Sequence, residues 1–495
     1  MPIMDEPTSL DPQIADSNSE KLVAANCYEG LVRIMADGTI GKGVATDWNI
    51  SDDGLTYTFK LRNNSHWAMF SGHKAVLGEN YEDTFDITVK AEDFKFGIER
   101  TLSEQTGSAD APLFSAVKSI STPDDFTIVF NLSYADDNFL YALTNPGAMP
   151  CDEEFFNLTN GKYGLDAKYL LCNGPFHVSK WTEKTSVKLV KNNEYNGESS
   201  VSPSSVTFYI NNNDSEVADK MNSVTYDVAF LSSSQFSSIE NKKDLNSVAV
   251  QNVTYSFIFN QNDNNYRNKN MRLAFCRSCD TSSLFDSQSD ISKADGIVPP
   301  SCKIGGEDYR NGNAAELLSY DETLAKKNFN DALLELGSSS VETTILCTEQ
   351  YEPFVKQMVQ KLQKTLGVKF VSTVKVVSES DLEAAVNDGN YSVAFYPFKA
   401  KSSFAGEIIE GFDQNNIFGY ESDVLSQKIR NIKNNSGSLE GERSAVADAE
   451  NYLVSEAVIM PVFYENSYFV TSKKTSGIYF YSSADNVCFI NAKKS

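Results

Sequence analysis

Few residues in this sequence have the types and spacing that chemistry requires. His66 and His73, with six residues between them and Glu79 close by, are the nearest thing to a metal-binding pair. No helical or strand register links them, so ordinary surface histidines are expected there. Ser115 and Lys118 make an S-x-x-K, but the S-D-N and K-T-G that accompany it in acylating enzymes do not occur. Cys276 and Cys279 form a CRSC whose i, i+3 spacing puts both thiols on one face of a helix. A zinc site wants a second such pair and none exists, so a buried pair is expected, with a disulfide from Cys302 to one of the two left open. The acidic run ENYEDTFD (79–86) lacks the ligand spacing and glycine of an EF-hand loop. No G-x-S-x-G or phosphate-binding loop is present, and GKGVAT (41–46) lacks the third glycine of a dinucleotide fingerprint. With three histidines in 495 residues, the expectation is a binding protein, not an enzyme, with no cofactor.

One charged feature stands out against this background. YSVAFYPFKAKSSFAGE (391–407) breaks an apolar, aromatic run with Lys399 and Lys401, inside a chain of formal charge −24. The excess of 67 acidic over 43 basic side chains argues against nucleic acid as a partner, because phosphate affinity comes from clustered Lys and Arg. No run approaches the 18 apolar residues of a membrane helix, and MPIMDEPTSLDP has neither the basic nor the apolar part of a signal peptide.

The elements that must position these residues follow from periodicity. After the turn SDDG, Leu55, Tyr57, Phe59 and Leu61 alternate with polar residues, as do Phe126, Ile128, Phe130 and Leu132 after PDD: two half-buried strands. Between them, Phe94, Ile98 and Leu102 recur at i, i+4, i+8 and predict a helix over 91–102 with one buried stripe. From about residue 340 strands and helices alternate. VETTILC is followed by a helix opened by Pro353 and closed by Gly367, then VKFVSTVKVV, a Ser-capped helix in SESDLEAAVNDG, and YSVAFYPF. Such a run needs crossovers, so these strands should be parallel and covered on both faces. ERSAVADAENYLVSEA predicts a further helix before VIMPVFYENSYFV, and NIKNNSGSLEG a surface loop. Ligands sit beyond the carboxyl ends of such strands, where Phe398 to Lys401 lie.

Taken in order, EPTSLDP (6–12), NCYEGLVR (26–33), GVATDWNISDDGLTYTFKLR (43–62), VKAEDFKFGIERTL (89–102), CNGPFHVSKWTEKTSVKLVKNNEY (172–195), FIFNQNDNNYRNKNMRLAFCRSCD (257–280), GIVPP (296–300) and AENYLVSEAVIMPVF (449–463) resemble the extracellular solute-binding proteins of the dipeptide and oligopeptide class, family 5, which serve ABC importers. The resemblance implies a bilobed α/β fold, periplasmic-binding-protein-like type II (class C), with an extra mostly-β subdomain in the first lobe. It places the first lobe at 1–38, 160–258 and 461–495, the extra subdomain at 39–159 and the second lobe at 259–460. It implies capture of a peptide or other small solute by cleft closure and delivery to an ABC permease. It further implies a monomer, extracellular or periplasmic and lipid-anchored, whose signal segment has been removed.

The resemblance also has a point of departure. Peptide-binding relatives commonly carry Gly-Trp-x-Ala-Asp after the strand that YSVAFY matches, and that Asp holds the ligand's α-ammonium. Here the Trp position falls on Phe398 and the Asp position on Lys401. A lysine would repel a free amine, which opens an alternative ligand: an oligosaccharide or an anionic small molecule. Glu465 could instead neutralise a lysine or take the amine itself. The ligand-binding residues expected are Glu6, Tyr28, Tyr396, Phe398, Lys399, Lys401, Phe463, Tyr464 and Glu465, with Tyr396 and Phe398 on one face of their strand.

Overall fold

A computed structural model describes the chain apart from residues 36–38, 137, 198–199, 280, 282–284, 286–289, 400–403, 414–415, 436–437 and 482–485. It divides into two units, Met1–Ala249 with Tyr468–Ser495, and Val250–Ser467. Two long strands, Leu245–Phe259 and Ile459–Ser472, carry the chain from one unit to the other.

In the first unit β1 (Pro2–Ile3) precedes α1 (Asn18–Cys27), which Ser17 and Glu20 open as a capping box. A four-stranded sheet follows, built from β2 (Ala45–Ile50), β3 (Thr56–Leu61), β4 (Val117–Asp124) and β5 (Thr127–Leu132) in the order β2-β3-β5-β4. The alternation works as expected: Tyr57, Phe59 and Leu61 are buried, as are Ile128, Phe130 and Leu132. Helix α2 (Ala91–Leu102) buries Phe94 and Ile98, but Leu102 is 37% exposed. The helix ends there, so the last position of the stripe passes beyond the core, and Thr101 takes the buried place with its hydroxyl donating to the Gly147 carbonyl at 2.7 Å. A second sheet joins β1 to β6 (Phe176–Thr182), β7 (Ser186–Lys191) and β8 (Ser205–Ile210) in the order β1-β8-β7-β6. Strand β9 (Val228–Ser232) pairs with the end of the last long strand, where the Ser472 N–H donates to the Asp227 carbonyl at 2.8 Å.

The second unit centres on five strands. They are β10 (Leu245–Phe259, entering from the first unit), β12 (Val341–Thr348), β13 (Phe370–Val377), β14 (Val393–Lys399) and β15 (Ile459–Ser472), with the short β11 (Ile291–Lys293) on β15. Their order is β15-β10-β14-β12-β13. β12 is parallel to both β13 and β14, as the crossovers demand, and β10 runs antiparallel to β14.

Both faces of this sheet are covered. On one face, α3 (Lys269–Arg277), α4 (Glu322–Leu336) and α5 (Glu352–Leu366) bury Phe275, Phe329 and Met358 against Phe257, Phe395 and Phe463. On the other, α6 (Glu379–Asn387), α7 (Asp423–Asn434) and α8 (Leu439–Ser455) bury Leu382, Ile429 and Leu453 against Ile258 and Ala394. Pro353 lies in the first turn of α5 and Gly367 ends it at φ 79°, while Ser378 caps α6 through the Asp381 N–H at 3.1 Å. The loop expected over NIKNNSGSLEG is shorter than its composition suggests: α7 runs to Asn434 and α8 starts at Leu439, because Ile432 belongs to the core.

Candidate functional site

The chemistry that spacing suggested does not assemble. His73 is buried in the first unit, a correction to the surface position expected; its Nε2 faces the Leu170 carbonyl at 3.1 Å, and its ring packs on Phe70 and Phe155. His66 lies apart from it, 4.0 Å from Glu194. The Ser115 hydroxyl meets Tyr134, not Lys118. Cys276 ends up inside α3 and Cys279 just past it, both in the core under the sheet, whereas Cys302 packs on the opposite face, so the disulfide left open between them does not form. The Cys276 and Cys279 thiols border a cavity of about 350 Å³ with Lys293, Leu318 and Met460, at the start of β15.

Polar side chains converge instead at the carboxyl ends of the parallel strands. β12 ends at Thr348, and the single turn Glu349–Tyr351 that follows presents Gln350 and Tyr351. β13 ends at Val377, and Glu379 opens α6 behind its Ser378 cap. β14 ends on Lys399, opposite Val253 of β10. β15 supplies Glu465, in register with Ile291 of β11.

Glu465 is the centre of this group. Its carboxylate accepts a short hydrogen bond from the Tyr351 hydroxyl and a 3.4 Å bond from Gln350 Nε2. Burial pushes the carboxyl above the ordinary range. The Tyr351 and Gln350 hydrogen bonds draw it back, Glu379 raises it, and Lys399 lowers it least of all. Burial and the neighbouring Tyr255 and Glu465 push the Tyr351 hydroxyl up, so it stays a proton donor to the carboxylate. Beneath lies an aromatic floor: Tyr351 is 4.4 Å from Tyr255 and 5.4 Å from Phe463 between ring centroids, and Phe463 is 5.5 Å from Phe395. Alternation along β14 puts Lys399 on the Phe395 face, with this group.

Tyr396 and Phe398 share the other face. They meet edge to face at 5.6 Å, and Phe398 stacks on Phe412 at 5.7 Å, half-buried against the second core. Phe463 is sealed in the floor. Tyr464 turns away, its hydroxyl accepting from the Asp295 N–H at 3.1 Å and donating to the Val298 carbonyl at 3.4 Å. Lys401 lies outside the described residues. Two expected residues belong to the first unit, where both have structural partners. Glu6 accepts from Trp181 Nε1 at 3.2 Å and the Lys184 N–H at 2.6 Å, fastening the β6–β7 turn, while Tyr28 is buried with its hydroxyl 3.3 Å from that of Tyr163.

Lys399 and Glu465 are therefore brought together with Gln350, Tyr351, Tyr255 and Glu379, four residues that the sequence did not single out. The signal was available, because the carboxyl-end rule applies to every parallel strand and Glu349–Tyr351 directly follows the first of them.

Comparison with known proteins sets this geometry in a lineage. The family model for bacterial extracellular solute-binding proteins, family 5 middle, matches residues 39–418. The dipeptide-binding protein DppE of Bacillus subtilis is 24% identical over 496 residues, spanning 96% of this chain and 88% of its own length. Among solved structures, Listeria monocytogenes OppA bound to peptide covers 100% of this chain and 98% of its own at 21% identity, with a TM-score of 0.77. The dipeptide-binding protein from Pseudoalteromonas sp. SM9913 in complex with Met-Leu covers 100% and 99% at 17% identity, with a TM-score of 0.78. These structures carry the fold: the bilobed, periplasmic-binding-protein-like α/β class that the resemblance implied. A match over most of the length, in a chain whose polar side chains gather where open parallel sheets hold their ligands, leads to one conclusion: the chain belongs to the bacterial extracellular solute-binding proteins of family 5.

Proposed function

We propose that this protein captures a peptide outside the cell and delivers it to the membrane permease of an ABC importer, with Glu465 as the residue that takes the peptide's α-ammonium. The observation that carries this is the Glu465 carboxylate itself, held by Tyr351 and Gln350 over an aromatic floor at the carboxyl ends of the strands. Partial desolvation leaves that charge poorly compensated, and an ammonium would compensate it by a charge-assisted hydrogen bond. The relatives' names, dipeptide- and oligopeptide-binding, point the same way. The anionic or oligosaccharide alternative is not favoured: an anion here would meet Glu465 and Glu379 together. Lys399 lies two strands from Glu465, about 10 Å at ordinary strand spacing, and suits the peptide's carbonyls or carboxyl end. Among the described residues no helix is long and apolar enough to cross a membrane, and attachment by an N-terminal lipid, as a monomer, fits delivery to a permease. Residues 39–159, which carry the separate sheet β2-β3-β5-β4, would form the extra subdomain of the first lobe.

Calorimetric titration with short peptides tests this reading. Free-amine peptides should bind, and both N-acetylation of the peptide and Glu465→Gln should weaken binding by about 10- to 100-fold, the cost of losing one partner of a charged pair. Equal affinity for acetylated and free peptides would remove Glu465 from the role. Binding of organic anions with no peptide binding would overturn the peptide assignment altogether.

A further inference from the structure

None of the eight cysteines is in a disulfide in this structure, and seven of them are buried. Two have other company: the Cys279 thiol contacts Met358 Sδ at 3.3 Å, and the Cys151 thiol accepts from Arg100 Nη1 at 3.5 Å. Cys27 and Cys172 differ, because the group that acts on the Cys27 thiol, besides its burial, is the Cys172 thiol, and the Cys27 carbonyl and the Gly174 N–H hold the two segments side by side at 2.9 Å. Cys27 is the last residue of α1 and Cys172 precedes β6; they are 0% and 1% exposed.

The main chain around them is pinned from several sides. The Gly174 N–H donates to the Cys27 carbonyl at 2.9 Å, and the Ala68 N–H to the Cys172 carbonyl at 2.7 Å. The Asn173 side chain bridges to the segment after α1, accepting from the Glu29 N–H at 3.0 Å and donating to the Glu29 carbonyl at 2.8 Å. A Cβ at position 174 would fall 2.6 Å from the Tyr28 nitrogen and 2.7 Å from the Cys27 carbonyl carbon, so only glycine lets the two segments approach this closely. The two segments that carry the cysteines are thus held close together by their main chains.

We propose that Cys27 and Cys172 are joined by a disulfide in the exported protein. Secreted proteins fold where disulfides form and persist. The reaction is two thiol–disulfide exchanges with a disulfide-bearing oxidoreductase. One cysteine thiolate attacks the oxidant's S–S bond and releases one of its thiols. The second thiolate then attacks the resulting mixed disulfide, forming Cys27–Cys172 and releasing the other thiol. Two protein S–H bonds lose their protons and the oxidant's disulfide is reduced to two thiols. Because the native protein seals both sulfurs, the exchange must precede final packing, and the finished bond resists reduction until the first unit opens.

The test uses the full-length protein exported through an oxidising compartment. Alkylation in denaturant without reductant, read by intact mass, should modify six cysteines, the eight present less the two joined, and all eight after reduction. Peptide mapping should recover Cys27 linked to Cys172. Reductant should lower the melting temperature read by tryptophan fluorescence, by on the order of 5–10 °C. The Cys27→Ala/Cys172→Ala double variant should show no response to reductant. Alkylation of all eight without reductant, or a link between any other pair such as Cys151–Cys172, would overturn the proposal. The mass measurements need no variant and stand even if the double variant folds poorly.

Discussion

Among the described residues His73 is buried without a countercharge, which should make the first unit acid-sensitive. Burial pushes its pKa down from 6.5 to about 4; the Leu170 carbonyl pulls it up somewhat, and His177, itself lowered by burial, pushes it down. Nε2 is taken to carry the proton, since it faces that carbonyl, and Nδ1 has no partner among the described residues. In the unfolded chain the same imidazole binds a proton near pH 6.5, so between pH 6.5 and 4 the unfolded state holds more protons and is favoured as pH falls. The stabilisation is complete above about pH 6.5 and gone below about pH 4. At about 1.4 kcal/mol per unit, the whole effect is about 3 kcal/mol, of which about 2 kcal/mol is lost between pH 7 and pH 5. All three tryptophans, Trp48, Trp67 and Trp181, belong to the first unit, so urea unfolding followed by their fluorescence reports on it alone. His73→Gln, which keeps a donor and cannot titrate, should start less stable at pH 7 but lose about 2 kcal/mol less than the natural protein on going to pH 5. Asp93 and Asp110, whose carboxyls burial raises, act in the opposite direction but equally in both proteins, so they cancel in the difference. Identical pH slopes for the two proteins would refute this account of His73.

Two further outcomes follow from buried charge. Glu450, 1% exposed, accepts from Arg310 Nη1 at 2.9 Å, the Tyr309 hydroxyl at 3.0 Å and the Val298 N–H at 3.0 Å. Glu450→Gln should therefore destabilise the second unit by about 3–5 kcal/mol, because the Arg310 charge is left buried and uncompensated; circular dichroism should show an earlier transition while the tryptophan transition stays put. For the ligand, affinity for free-amine peptides should fall as pH drops through the raised pKa of Glu465, since only the ionised carboxylate attracts an ammonium, and titrations with N-acetylated peptides at the same pH values should show no such trend.

The fold was legible wherever local signals agreed with one another. The helix after VETTILC has a proline at its start, a glycine at its end and an apolar stripe between, and each alone would have served. Composition misled where it stood unsupported by pattern. NIKNNSGSLEG looks like loop throughout, yet its Ile432 is wanted by the core and holds the helix for another turn. His73 looked like a surface residue because nothing local distinguishes it; its burial is set by Phe70, Leu170 and Phe155, one close in sequence and two remote. The contact between Cys27 and Cys172 is likewise a product of tertiary packing that spacing does not record.

The site shows the same division at closer range. Lys399 and Lys401 drew attention because they interrupt an apolar run in an acidic chain, and charge per residue is all that a sequence displays. What decides a cleft's preference is each charge's desolvation and its distance to the next. β10 lies between β14 and β15, so the Lys399 and Glu465 backbones are separated by about two strand spacings, roughly 10 Å. Tyr351 and Gln350, by contrast, touch the carboxylate directly. Lys399 is accordingly the smallest of the influences named on the Glu465 carboxyl, after burial, Tyr351, Gln350 and Glu379.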